Sequence, residues 1–178
     1  MNHFQGKTVF ITGASRGIGL ATGLRLAQEG ANIVIAAKTS EPHPKLPGTI
    51  YTAAAEIEAA GGKALPLVVD VREESQVYNA VEEAVKMFGG IDILVNNAGI
   101  AHIGKAHTTT ESDFDRIINV NVKGMYNCLF AAIPHFLTNG SGVILNTASI
   151  AATVGIPDRF AYTTSKGAVL AMTLSVAK

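Results

Sequence analysis

Five short runs rich in β-branched and aliphatic residues, at 8–12, 32–36, 64–69, 91–95 and 142–147, are separated by stretches long enough for a helix. A strand with one wet face alternates apolar with polar residues, whereas a run that is apolar throughout needs cover on both sides. Strands joined by crossover helices lie parallel, so the pattern predicts an α/β fold with a doubly wound parallel sheet. Helices are expected at 20–29, 50–60 and 111–137, and most clearly after Glu74. There Val77, Val81, Ala84, Val85 and Phe88 recur at helical spacing, with Glu82, Glu83 and Lys86 on the other side and Gly89-Gly90 as the stop. The segment 38–49 carries Pro42, Pro44 and Pro47 and reads as an extended loop, in which His43 and Lys45 are solvated surface charges.

The chain has 178 residues, enough for one domain with a proper core and too few for two, so residues 1–178 are expected to form a single unit. Its hydrophobic content of 48% against 16% charged residues excludes disorder as the main state. Fourteen basic residues match 14 acidic ones, leaving no net field to attract nucleic acid or an anionic membrane. Any anion site must be local. Cys128 is the only cysteine, so neither an internal disulfide nor a cysteine metal cage can form, and the thiol is expected as a small buried side chain. The polar start and the lack of a long apolar run predict a soluble, cytoplasmic protein.

Directly after the first strand comes Thr12-Gly13-Ala14-Ser15-Arg16-Gly17-Ile18-Gly19, opening into a helix. Glycines let the backbone turn tightly and approach a pyrophosphate, and the helix start presents free N–H groups and a positive dipole end to that anion. Where the second strand ends, an NAD-selective site carries an acid for the ribose 2′-hydroxyl, but this chain has Ala37 followed by Lys38. With Arg16 in the glycine loop, two cations flank the 2′ position, which favours NADP(H) over NAD(H).

The spacing Gly13-x-x-x-Gly17-x-Gly19 departs from the usual dinucleotide fingerprint and resembles that of the short-chain dehydrogenase/reductase family. That resemblance implies a Rossmann-type sheet of order 3-2-1-4-5 with later strands missing, and a cofactor held by Gly13, Ser15, Arg16, Gly17, Ile18 and Gly19. It extends the cofactor site to Lys38, to Asp70-Val71, in which Asp70 is similar to the family's adenine-contacting acid, and to Asn97-Ala98-Gly99 after the fourth strand. Ordinary turn chemistry is the competing reading of Asp70. Residues 8–99 resemble one subgroup of the family most closely.

Tyr162 and Lys166 stand four apart in a helical stretch and so share a face, and Ser149 closes the fifth strand thirteen residues before Tyr162, the family's usual separation. Asn121 matches the family's catalytic asparagine, with Asn119 as a competing register. Reducing a carbonyl needs hydride at carbon and a proton at oxygen, and a phenol is by itself a poor acid at neutral pH. A lysine ammonium about 4 Å away, at an effective dielectric near 20, favours the phenolate by up to ~4 kcal/mol before desolvation takes some back. The resemblance therefore implies Tyr162 as acid/base, Lys166 as its cation and ribose ligand, Ser149 as holder of the substrate oxygen, and Asn121 as anchor of a water in a proton relay. The substrate would be a small-molecule carbonyl or alcohol, and no metal is expected.

The stretch 111–137 carries Phe114, Ile117, Ile118, Met125, Leu129 and Ile133, more apolar surface than one sheet face needs, and by resemblance this helix and the Tyr162 helix pack against a second subunit, predicting a homo-oligomer. Family members continue past the position of Lys178 with a further strand and a substrate lid, so the chain is expected to be incomplete at its carboxyl end and its activity as it stands is open. A longer protein with a targeting signal would be peroxisomal or mitochondrial. A protein that senses NADP(H) without chemistry would keep the glycine loop but need neither Tyr162 nor Lys166.

Overall fold

The computed structural model describes residues 3–44 and 46–178; Lys45, read above as a surface charge, lies outside the described residues. The chain runs β1 (Thr8–Thr12), α1 (Gly17–Ala27), β2 (Asn32–Ala37), α2 (Ile50–Ala59), β3 (Lys63–Val68), α3 (Glu74–Phe88) and β4 (Ile93–Asn96). It continues through α4 (Glu111–Ile118), a π-helical turn (Asn119–Lys123), α5 (Gly124–Asn139), β5 (Val143–Asn146), a 3-10 turn (Ile150–Ala152) and α6 (Phe160–Val176). The strands form one parallel sheet of order β3-β2-β1-β4-β5, the Rossmann-type order expected.

Side chains alternate across a strand, and here both faces are apolar. Val9, Ile11, Ile33 and Ile35 meet α1 and α2 through Ala27, Ile50 and Ile57. Phe10, Val34 and Leu94 meet α3 and α5 through Val77, Val81, Met125 and Leu129. This two-sided burial is why the central strands read as continuous apolar runs. The edge differs from that expectation: Val143 and Leu145 of β5 are 56% and 51% exposed, because the strand's outer face lacks the helical cover given to β1 and β2.

Local chemistry sets the element ends. Thr49 and Thr52 cap α2 reciprocally, each hydroxyl accepting from the other's backbone N–H at 3.2 and 2.8 Å. Gly89, in the left-handed region, ends α3 where the sequence places its stop. Helix α1 starts at Gly17, three residues before the expected boundary, so the last two loop glycines lie in its first turn. The single helix expected over 111–137 is divided by the π-helical turn, in which Gly124 N donates to Asn119 O. Cys128 is buried as expected, and burial pushes its thiol up to about 12. Among the described residues no helix is long and apolar enough to cross a membrane.

Candidate active site

Strand order reverses between β1 and β4, and in such sheets a crevice opens beyond the carboxyl ends of the strands at that switch point. A cleft of about 450 Å³ lies there, lined among others by Gly13, Ser15, Arg16, Lys38, Asp70 and Gly99. Its floor is the glycine loop. Gly13 N donates to Ala36 O at 2.8 Å, and Gly13 and Gly17 both adopt positive φ, +68° and +58°. The segment after β4 presses against this loop: Thr12 Oγ1 accepts from the N–H groups of Asn97 and Ala98, both at 3.0 Å, while Asn97 Nδ2 donates to Thr12 O and Gly13 O. A Cβ on Gly19 would stand 2.7 Å from both Asn97 Nδ2 and Gly13 O, so only glycine permits this approach. Arg16, the residue before α1, makes no side-chain cap, which leaves the first-turn N–H groups without that partner. The loop thus has the backbone curvature, the free donors and the adjoining space that a pyrophosphate needs. Ser15 is buried within it and Ile18 is largely exposed.

The cations expected beside a 2′-phosphate both face the cleft, but neither is idle. Arg16 Nη2 donates to Gly48 O at 3.1 Å, while its buried Nε has no partner among the described residues. Lys38 Nζ lies 3.0 Å from Asp70 Oδ2. Asp70 also receives the Arg72 guanidinium, with Nη2 to Oδ2 at 2.6 Å and Nε to Oδ1 at 3.0 Å, and its Oδ1 accepts from Arg72 N. The Arg72 guanidinium beside it, helped by Lys38, holds the Asp70 carboxyl well below the usual carboxylate range. Asp70 therefore makes the turn contacts of the competing reading and faces the cleft as well, followed by the buried Val71.

The second half of the site gathers at the ends of β4 and β5. Lys166 is buried on α6, its Nζ donating to Thr147 O at 2.6 Å and lying 5.8 Å from the Tyr162 ring centroid. Burial disfavours the ammonium and pushes Lys166 below its ordinary range. A Cβ on Gly99 would be 3.4 Å from Asn121 Oδ1 and 3.6 Å from Lys166 Nζ, which puts the edge of the glycine cradle beside both residues. Ser149 Oγ accepts from Ala151 N at 3.1 Å and so caps the 3-10 turn against which α6 packs.

Asn121, not the exposed Asn119, points inward from the π-helical turn. Its Oδ1 accepts from Ile100 N at 2.8 Å, and its Nδ2 donates to Ile100 O and to Ser165 Oγ, both at 2.9 Å. Both amide protons are therefore committed, which makes the side chain a strut between the 97–100 segment and α6. Ser165 Oγ in turn donates to Tyr162 O at 2.7 Å, so the strut reaches the backbone of Tyr162 itself. Ser165, Thr147 and Arg72 were not among the residues singled out from sequence. Only Arg72 carried a usable signal, a cation two residues from Asp70 in a turn.

A parallel sheet of order 3-2-1-4-5, a glycine cradle at its switch point and an i,i+4 Tyr-Lys pair beside it define a dinucleotide-binding fold of one particular lineage. The chain belongs to the short-chain dehydrogenase family, whose pattern matches residues 7–178. It is similar to hydroxysteroid dehydrogenase-like protein 2 of Danio rerio, with 60% identity over 141 residues that take in 79% of this chain and 34% of that protein. The human protein of the same name is 59% identical over the same length. The chain thus spans about a third of the length of these relatives, and the matched stretch is longer than the 8–99 segment. Among solved structures, a short chain dehydrogenase from Mycobacterium thermoresistibile is 43% identical with a TM-score of 0.89, covering 97% of this chain and 62% of that one. NAD+-bound xylitol dehydrogenase is 38% identical with a TM-score of 0.92, covering 98% and 65%.

Proposed function

We propose that the chain is the cofactor-binding and catalytic portion of an NADP(H)-dependent oxidoreductase that interconverts a small-molecule carbonyl and a secondary alcohol. The observation that carries this reading is the convergence of Gly99, Asn121 and Lys166, which joins the glycine cradle to the Tyr162 helix within a few ångströms. A sensing protein would have no use for a buried lysine held beside a tyrosine at that edge.

Bound in the cleft, the nicotinamide cofactor supplies or accepts the hydride. The Tyr162 hydroxyl gives a proton to the substrate oxygen during reduction and takes it back during oxidation. Lys166 stabilises negative charge developing on that phenol, and its bond to Thr147 O fixes where the ammonium stands. Ser149, between β5 and the 3-10 turn, orients the substrate oxygen, and the Asn121 strut keeps the 97–100 segment in register with α6. The exposed apolar residues Tyr126 and Phe130 of α5, with Leu174 and Val176 of α6, are the surface on which a second copy of the protein would pack.

The preference for NADP(H) is supported by Ala37 in place of an acid at the end of β2, and by Arg16 and Lys38 on the wall of the cleft. NAD(H) is the competing cofactor: xylitol dehydrogenase is described with NAD+ bound, and Lys38 is engaged by Asp70. Fluorescence titration of the full-length protein decides between them. NADPH is expected to bind at least about tenfold tighter than NADH, as two added charge contacts allow, and equal affinities would refute the preference. A panel of ketones, followed by loss of NADPH absorbance, tests for turnover; absence of any reduction across steroid, sugar and small ketones would count against the enzyme.

A further inference from the structure

We propose that Arg72 sets the cofactor preference of the cleft by occupying Asp70, so that Lys38 is free to exchange that carboxylate for a 2′-phosphate. The inference rests on the NADP(H) reading above and deepens it.

The two cations on Asp70 are not equivalent. Arg72 contributes Nε contacts of 3.0 and 3.1 Å, an Nη2 contact of 2.6 Å and its own backbone N–H at 3.1 Å, the fork geometry that binds a carboxylate most strongly. Lys38 contributes one contact of 3.0 Å from a side chain that is 66% exposed. Lys38 is therefore the partner that can leave. Its ammonium hangs on a flexible stem at the end of β2, where the ribose of a dinucleotide lies in this fold.

Arg72 is also the better anchored of the two. Asn127, buried on α5, donates from Nδ2 to Val71 O at 2.9 Å and to Arg72 O at 3.3 Å, and Gln76 Oε1 accepts from Asp70 N at 2.9 Å. The turn that carries the carboxylate and its guanidinium is thus tied to two helices.

A phosphate dianion placed at Lys38 has the Asp70 carboxylate behind it, which both repels the phosphate and competes for the lysine. With Arg72 in place the carboxylate is neutralised, and the net field at Lys38 and Arg16 favours the anion. Without Arg72, Lys38 is the cation left on Asp70 among the described residues and is withheld from the ligand. The uncharged 2′-hydroxyl of NADH meets no such competition, so Arg72 acts on the ratio of the two affinities and not on dinucleotide binding as such.

The test is a pair of titrations, NADPH and NADH, on the full-length wild type, Arg72→Gln and Arg72→Lys, with melting curves to confirm that each variant is folded. Arg72→Gln is expected to weaken NADPH by about fivefold, the upper end for a partly exposed ion pair, and NADH by less than about twofold. Arg72→Lys, which keeps the charge, should recover most of the ratio. An NADPH-to-NADH affinity ratio that Arg72→Gln leaves at its wild-type value overturns this inference alone, whether neither dinucleotide weakens or both weaken equally. A wild-type ratio near one overturns the NADP(H) reading, and this inference with it.

Discussion

Lys166 holds its ammonium 5.8 Å from the centroid of the Tyr162 ring, one helical turn along α6, while donating to Thr147 O on the neighbouring strand end. The lysine is buried, and burial lowers its proton affinity below the ordinary lysine range. The folded chain therefore releases this proton at a lower pH than the unfolded chain does. Between those two values the unfolded state binds more protons, and stability rises with pH. Below both values the desolvation cost is fully present; it is relieved as pH climbs through the folded value toward about 10.4, the ordinary lysine value. The urea midpoint of wild type minus that of Lys166→Met should accordingly rise from neutral to alkaline pH. A difference that stays flat or falls would mean that the charge is not paying for its burial.

The glycine cradle gives a contrast within one loop. At Gly19 an added Cβ meets Asn97 Nδ2 and Gly13 O at 2.7 Å, so Gly19→Ala forces apart the contact between the loop and the 97–100 segment, at about 1–3 kcal/mol. At Gly17 the added atom meets nothing within 4 Å, and only the left-handed φ of +58° resists substitution, at about 1 kcal/mol. Denaturation midpoints should rank wild type above Gly17→Ala, and Gly17→Ala above Gly19→Ala. The reverse order of the two variants would show that Asn97 does not press on the loop as described.

The fold was legible where physics acts locally. The central strands announce themselves because both faces are buried, and Gly89 marks the end of α3 because the left-handed cap favours glycine. The start of α1 differs from the sequence expectation because glycine, a poor helix former, reads as loop, whereas Gly17 and Gly19 fall within its first turn. The division of the 111–137 helix was invisible, since the apolar spacing continues through the π-helical turn at Asn119–Lys123. The surplus apolar surface expected on 111–137 includes Met125 and Leu129, which the structure buries; the exposed apolar residues include Leu137 and also Tyr126 and Phe130, each one position further round the helix than Met125 and Leu129. Motif spacing singles out Gly13, Asn121, Tyr162 and Lys166 as candidates, but not the residues that hold them in place. Thr147, Ser165 and Asn127 act through partners that spacing cannot reveal, and the Asp70–Arg72 fork depends on side-chain geometry within a turn.

The most direct test of the proposed chemistry replaces the phenol alone. Tyr162→Phe removes one oxygen and leaves Lys166, its bond to Thr147 O and the Ser165 bond to the residue 162 carbonyl with the same partners. In the full-length protein, with a ketone that the wild type reduces, kcat should fall by about 10²–10⁴, the usual contribution of a positioned acid, while NADPH affinity stays near that of wild type. A Tyr162→Phe protein that kept most of its turnover would contradict the assignment of the proton to this residue.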